Sequence, residues 1–356
     1  MKKIGIILTA ASLVLVSALA GCGKKEDNTQ GAASAAPTAA ASASAAASPA
    51  SKKGVGVKVG MVTDVGGVND KSFNQSAWEA LQKLKTDTGA EVKYLQSKND
   101  TEFQPNLNTF VKDNYNLTWG IGFIIGDAMK QVAAANPNAK LAIIDEVVEA
   151  PNVKSVTFSE QEGSYLVGVV AGLMTKTNKV GFVGGMDIVV IKRFEAGFKA
   201  GVAAANPNAK VSVNYTGAFD KPDLGKAAAA TMYNDGVDII FHASGGTGTG
   251  VFNEAKDRVK GGKKVWVIGV DKDQSVEFGN DVTLTSMMKY VDQAVYSVSK
   301  NLIETGSFDT KPVVLGLKDN GVGLPPNNPN VPADILKKVD EYKAKIISGE
   351  IKVPEK

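Results

Sequence analysis

The chain has 356 residues, 44% of them hydrophobic, and carries 40 Lys and Arg against 37 Asp and Glu for a formal net charge of +3. So even a balance supplies no field of the kind that gathers nucleic acid or an acidic partner. One histidine, His242, and one cysteine, Cys22, weigh against a histidine-rich metal site and a Ser-His-Asp hydrolase, for which no nucleophile-elbow motif is present either, and exclude an intramolecular disulfide.

Met1-Lys2-Lys3 precedes an apolar run over 4–20 that closes on Leu19-Ala20-Gly21-Cys22. A basic start followed by such a run reads as a signal peptide over 1–21, and it falls short of the roughly 20 residues of a membrane-spanning helix. Leu-Ala-Gly-Cys resembles the bacterial lipobox, in which the cysteine sulfur receives diacylglycerol and becomes the new N-terminus, so Cys22 is the expected lipidation site and the membrane the expected anchor. Residues 22–53 are then rich in Ala and Ser with Pro37 and Pro49 and have no apolar stripe. Such a segment buries too little to offset the entropy of ordering it, and it reads as a tether.

From residue 57 onward, short apolar runs alternate with amphipathic stretches. Strands are predicted over 57–63, 92–96, 120–125 and 141–145, with helices over 72–86, 102–114 and 128–135 between them. A strand over 153–158 and a helix over 160–174 follow. The alternation then resumes, with strands at 180–183, 211–215 and 237–242 and helices at 191–204, 221–234 and 251–260. Strands at 265–270 and 282–288, a helix over 292–305 and a last helix with Ile335, Val339, Tyr342 and Ile346 on one face complete the chain. Continuous apolar strands separated by helices imply an α/β protein with two doubly wound parallel-sheet lobes joined by a hinge. The expected N-terminal lobe is 57–157 plus about 267–300, the C-terminal lobe 158–266 plus about 301–330, and 331–356 a C-terminal helix and tail. The octapeptide AAANPNAK occurs at 133–140 and 203–210, read as one helix-exit turn used twice rather than as a trace of duplication.

In wound sheets, ligands collect beyond the carboxyl ends of the strands. The loop after the first strand, Asp64 to Asn74, has paired glycines, Ser72 placed to cap the next helix, and Phe73 bracketed by Asn69 and Asn74. Asp70 stands where a phosphate-binding loop has glycine before lysine, and Val251 stands where the cluster over 245–250 would need a third glycine, so no nucleotide motif is met. Strand-end carboxylates Asp64, Asp127 and Asp271 would repel phosphate and accept from ring N–H, amino and hydroxyl groups, which favours a neutral or cationic ligand. His242 and the three tryptophans, Trp78, Trp119 and Trp266, are read as internal.

The stretch DVGGVNDKSFNQSAWEAL resembles the opening signature of the basic membrane protein (BMP) family of lipoproteins, the PnrA-like solute-binding proteins. GIGFIIGDA, the run 192–198, ASGGTGTGVF, VIGVDKDQ and TSMMKYVD agree in the same order. The resemblance implies a type I periplasmic-binding-protein fold, a purine nucleoside (adenosine, guanosine or inosine) held between the lobes, and delivery to an ABC transporter permease, with no cofactor and no catalytic residue. Carried across, it puts Phe73 and Phe194 on the two faces of the base, with Phe198 one turn on competing for the second place. Asp127 and Asn74 would read the polar edge with Asp64 nearby. Asp271 would take the ribose hydroxyls, aided by Lys289 and the backbone at Gly245 and Gly246. A sugar or other small-solute receptor of the same fold, and a sensory lipoprotein without transport, remain alternatives. A nucleoside hydrolase or phosphorylase would need an acidic metal cluster or a phosphate nest, and the carboxylates lie on separate strands.

Overall fold

A computed structural model describes residues 52–356. The expected signal peptide, Cys22 and all but the last two residues of the tether lie outside the described residues. The chain runs β1 (Lys58–Thr63), α1 (Phe73–Thr88), β2 (Glu91–Gln96), α2 (Phe103–Lys112), β3 (Leu117–Ile121), α3 (Gly126–Ala135), β4 (Leu141–Ile144), β5 (Val153–Phe158) and α4 (Glu160–Met174). It continues β6 (Lys179–Gly184), α5 (Val189–Ala205), β7 (Lys210–Tyr215), α6 (Pro222–Asn234), β8 (Ile239–Ala243), α7 (Gly248–Lys260), β9 (Trp266–Asp271), α8 (Ser275–Phe278), β10 (Thr283–Lys289) and α9 (Val291–Thr305). It ends with β11 (Val313–Leu315), β12 (Val322–Gly323) and α10 (Ala333–Ile347).

Two six-stranded sheets result, ordered β11-β5-β4-β3-β1-β2 and β12-β10-β9-β8-β6-β7. Only β12 is antiparallel, so the inner strands are covered by helices on both faces and are buried along nearly their whole length. The two orders correspond strand for strand, which makes β4 the counterpart of β9 and β5 the counterpart of β10. The chain passes between lobes three times, after β5, after β10 and between β11 and β12.

That topology corrects the expected lobe boundaries. The sequence places 267–300, and with it β9 and β10, in the N-terminal lobe, yet β9 pairs with β8 and β10 with β9 in the second sheet, and β11 joins β5 in the first. The reason is the crossover: α7 returns the chain to the edge of the strand it has just left, and the next parallel strand pairs there. A second correction concerns 120–125. β3 ends at Ile121, and Phe123–Ile125 is a 3-10 turn, because the apolar run continues past the sheet into the space between the lobes.

The repeated octapeptide forms the same turn twice. In each copy the asparagine N–H bonds back into the helix and its carbonyl accepts from the alanine three residues on, Ala139 N to Asn136 O and Ala209 N to Asn206 O, both 3.0 Å. The copies occupy non-equivalent places, α3 to β4 in one lobe and α5 to β7 in the other, which favours the shared exit turn. α4 and α5 meet backbone to backbone: a Cβ on Gly197 or Gly201 would stand 2.1 Å from Gln161 O or 2.0 Å from Tyr165 O. Glycine is required there by space alone, and the pair forms a rigid base for the second lobe.

Candidate functional site

The carboxyl ends of both sheets face one cavity, which encloses about 580 Å³ of empty space including its mouth and draws its walls from both lobes. Clefts at such switch points are the usual ligand sites of wound sheets.

The loop from β1 to α1 is organised by two carboxylates. Asp64 Oδ1 accepts from Gly66 N at 2.9 Å and from Asn74 Nδ2 at 2.8 Å. Asp70 accepts the N–H groups of Ser72, Asn74 and Gln75 at 3.0, 2.9 and 3.1 Å. Asp70 therefore caps α1, the role expected of Ser72. Freed of it, the Ser72 hydroxyl crosses to the other lobe and donates to Asp271 Oδ2. Phe73 opens α1 and faces the cavity, and Asn74 Oδ1 is buried with no hydrogen-bond partner.

Asp145, directly after β4, and Asp271, at the end of β9, are strand-end counterparts. Both adopt left-handed backbone, φ 71° and 65°, a region that Asp and Asn tolerate better than most residues. Lys289, at the end of β10 and 1% exposed, sets its ammonium 2.6 Å from Asp145 Oδ2 and 3.0 Å from Glu160 Oε1. The second contact is an ion pair without hydrogen-bond geometry, and Asp145 Oδ1 is likewise left unpartnered. The same ammonium lies 5.2 Å from the centre of the Phe73 ring, 5.5 Å from Phe194 and 5.1 Å from Phe158, so rings from both lobes flank one cation.

Burial dominates the electrostatics. It pushes the carboxyls of Asp64 and Asp271 up to about 7, against hydrogen bonds from Asn74 and the field of Lys289 respectively. It pushes Asp145 up to about 6 against Lys289, and Asp70 up against its N–H donors. Burial alone would lower Lys289, but Asp145, Glu160 and Asp271 outweigh it and hold the ammonium charged. The cavity thus holds four carboxyl groups and one cation, a poor host for phosphate and a good acceptor set for hydroxyl and N–H donors.

Of the sequence-predicted residues, Asp64, Phe73, Asn74, Phe194, Gly245, Asp271 and Lys289 line this cavity. Phe198 does not: it is buried in the aromatic cluster of Phe182 and Phe241. Gly246 lies against the lobe contact near Asp70 rather than in the wall. Asn69 and Asp127 are solvent-exposed and outside it. Asp127 sits in the first turn of α3 because β3 ends at Ile121, four residues short of the end of the expected strand, and Phe123 and Ile124 occupy the wall instead. The sequence reading missed Asp145, Asp70, Phe219 and Ser244 as wall residues. Asp145 carried a readable signal, since LAIID ends in the same apolar-strand-to-aspartate pattern as VIGVD.

Ser244 and His242 form a hydroxyl–imidazole pair, Oγ to Nδ1 3.3 Å, but Gln274 stands where a triad has its carboxylate. Burial lowers the imidazole to about 4, so it is neutral. Among the described residues, no group of three or more His, Cys, Asp or Glu is placed to hold a metal ion.

Residues 57–356 match the sequence profile described as ABC transporter substrate-binding protein PnrA-like. The chain is 50% identical over 316 residues to the CD4+ T-cell-stimulating antigen of Listeria monocytogenes, covering 84% of this chain and 88% of that one. It is 38% identical, over the full length of both chains, to the ABC transporter nucleoside-binding protein BmpA of Lactococcus lactis. Among solved structures, an ABC transporter solute-binding protein from Aeropyrum pernix superposes with a TM-score of 0.78 at 30% identity, covering 84% of this chain and 94% of its own. A second, from Conexibacter woesei, gives 0.67 at 29%, covering 84% and 99%. The fold is the type I periplasmic-binding-protein fold, and the chain belongs to the PnrA-like (basic membrane protein) family as an ABC transporter substrate-binding protein, not an enzyme.

Proposed function

We propose that the protein is a lipid-anchored extracytoplasmic receptor that captures a purine nucleoside between its lobes and delivers it to an ABC importer. The observation that carries the reading is the cavity, where Phe73 and Phe194 flank one buried cation amid acceptors from both lobes. The two rings supply the faces for a flat base, each stack adding about 0.5–1.5 kcal/mol beyond burial. Asp64, Asn74 and Asp145 read its polar edge, and Asp271 with Lys289 and the Gly245 backbone takes the ribose hydroxyls. Each buried acceptor left without its donor costs about 1–3 kcal/mol, which is how such a slot rejects other solutes. The relative named for nucleoside binding supports the ligand class, and Leu-Ala-Gly-Cys22 supports the anchor.

A thermal-shift panel tests the ligand. Adenosine, guanosine or inosine stabilises the protein, while their phosphates, free pentoses and hexoses do not. A response to sugars alone rejects the reading. For the anchor, Cys22→Ser is expected to release the protein from membranes, and retention of the variant there counts against lipidation.

A further inference from the structure

The single histidine belongs to a buried network that leaves the cavity wall and ends on the opposite lobe. Gln274, fully buried just beyond β9, accepts the Val270 backbone N–H on Oε1 at 2.9 Å. A backbone N–H can only donate, so this bond fixes which end of the amide is oxygen. His242 Nε2, 2.8 Å from the same oxygen, must then be the protonated nitrogen, and Nδ1 accepts from the Ser244 hydroxyl in the cavity wall. The imidazole has no freedom to turn: it is wholly buried, edge-on to Phe252, with the backbone of Gly248 against its ring.

With its oxygen held twice, Gln274 aims its amide nitrogen across the cleft, where Nε2 donates to Lys71 O at 2.9 Å. Lys71 is in left-handed backbone, φ 57°, in the turn that Asp70 organises at the start of α1. That strained turn points the carbonyl at Gln274. Other contacts between the lobes differ in kind. Lys272–Glu79 and Lys71–Glu277 are ion pairs at the partly exposed rim, weakened by solvent and salt. Ser72–Asp271 and Lys289–Asp145 use ligand-site groups, free to exchange partners when solute enters. The Gln274 bond is neutral, partly buried and outside the cavity.

We propose that Gln274, held in one orientation by His242, is the latch that keeps the lobes shut and so sets how long a captured solute stays bound. Opening exposes one prepaired hydrogen bond, so its loss changes the open-to-closed ratio about two- to tenfold. Gln274→Met keeps the shape and removes the bond; His242→Phe takes away one of the two donors on the amide oxygen and leaves the Val270 N–H as the other.

The test uses the full chain, with small-angle scattering in the absence of solute and stopped-flow release of inosine. Gln274→Met is expected to enlarge the radius of gyration of the solute-free protein and to speed inosine release by about two- to tenfold. His242→Phe moves both in the same direction, and the double variant goes no further than Gln274→Met, because both changes remove one interaction. A purely structural role would lower the melting temperature and leave both the solute-free radius and the release rate unmoved. A solute-free radius equal in wild type and variants overturns the latch, as does additivity in the double variant. If Gln274→Met does not fold, His242→Phe decides by the same two readouts. If wild type does not bind inosine, the nucleoside reading fails, and the solute-free radius alone decides the latch.

Discussion

Replacing Asp271 by asparagine should stabilise the solute-free protein while weakening its grip on solute. Asp271 is 6% exposed, and burial moves its carboxyl from 3.8 to about 7 even with Lys289 and Ser72 favouring the charge. A tenfold change in an ionisation constant is worth about 1.4 kcal/mol, so ionising this group in the shut cleft costs on the order of 4 kcal/mol. Opening of the lobes relieves part of that. The sign follows from proton binding: the folded protein holds this proton above the pH at which the unfolded chain has lost it, so stability is fully present below about pH 4 and is lost as pH rises through 7. Asparagine carries no charge to bury, keeps an oxygen for the Ser72 hydroxyl, and accepts the φ of 65°. Thermal melts at pH 4 and pH 8 should therefore show variant and wild type nearly level at pH 4. At pH 8 the variant should be ahead by several degrees, at about 2–4 °C per kcal/mol for chains of this order. Calorimetric titration with inosine at pH 8 should show weaker binding by about 1–3 kcal/mol, because a charged acceptor for the ribose is gone. A stability difference that is flat with pH, or a variant less stable at pH 8, would refute the claim that burial governs this carboxyl.

Phe73→Ala should weaken inosine binding by about 2 kcal/mol, close to thirtyfold in Kd by titration, since one stacking face and its buried area are lost. Lys289→Met leaves Asp145 buried without its cation, while Glu160 keeps Arg193 at 2.7 Å, and urea unfolding at pH 8 should show a loss of about 3–5 kcal/mol that recovers as acid protonates Asp145. Gly201→Ala drives a methyl into the Tyr165 carbonyl and should cost about 1–3 kcal/mol or more in the same assay, with α4 and α5 forced apart. Asp127→Ala, at an exposed helix start outside the cavity, should leave both stability and inosine affinity within about 0.5 kcal/mol of wild type.

The differing outcomes for Asp127, Asp145 and Asp271 show where one-dimensional reading succeeds. Asp271 could be found because its strand is wholly apolar and stops at the acid. Asp145 has the same pattern and was passed over in favour of Asp127, since GIGFII reads as a strand up to Ile125. In the fold Phe123 and Ile124 are apolar because they face a cavity, while Ile125 packs into the core, and burial against a cleft looks in sequence the same as burial in a sheet. Phe194 and Phe198 were inseparable for a related reason: one helical turn puts both on the inner side of α5, and only the position of the cleft tells wall from core.

The alternation of strands and helices, the two-lobed α/β class, the acidic strand ends and Phe73 in its polar loop are legible along the chain, because these rest on local periodicity and on burial along single elements. It takes the packed fold to show that β9 and β10 belong to the second sheet, that Asp70 rather than Ser72 caps α1, and that Ser72 meets Asp271 across 199 residues and Lys289 meets Asp145 across 144. Those pairings depend on where crossover helices set each strand and on how two separately folded sheets face each other, and neither leaves a mark on the few residues around each partner.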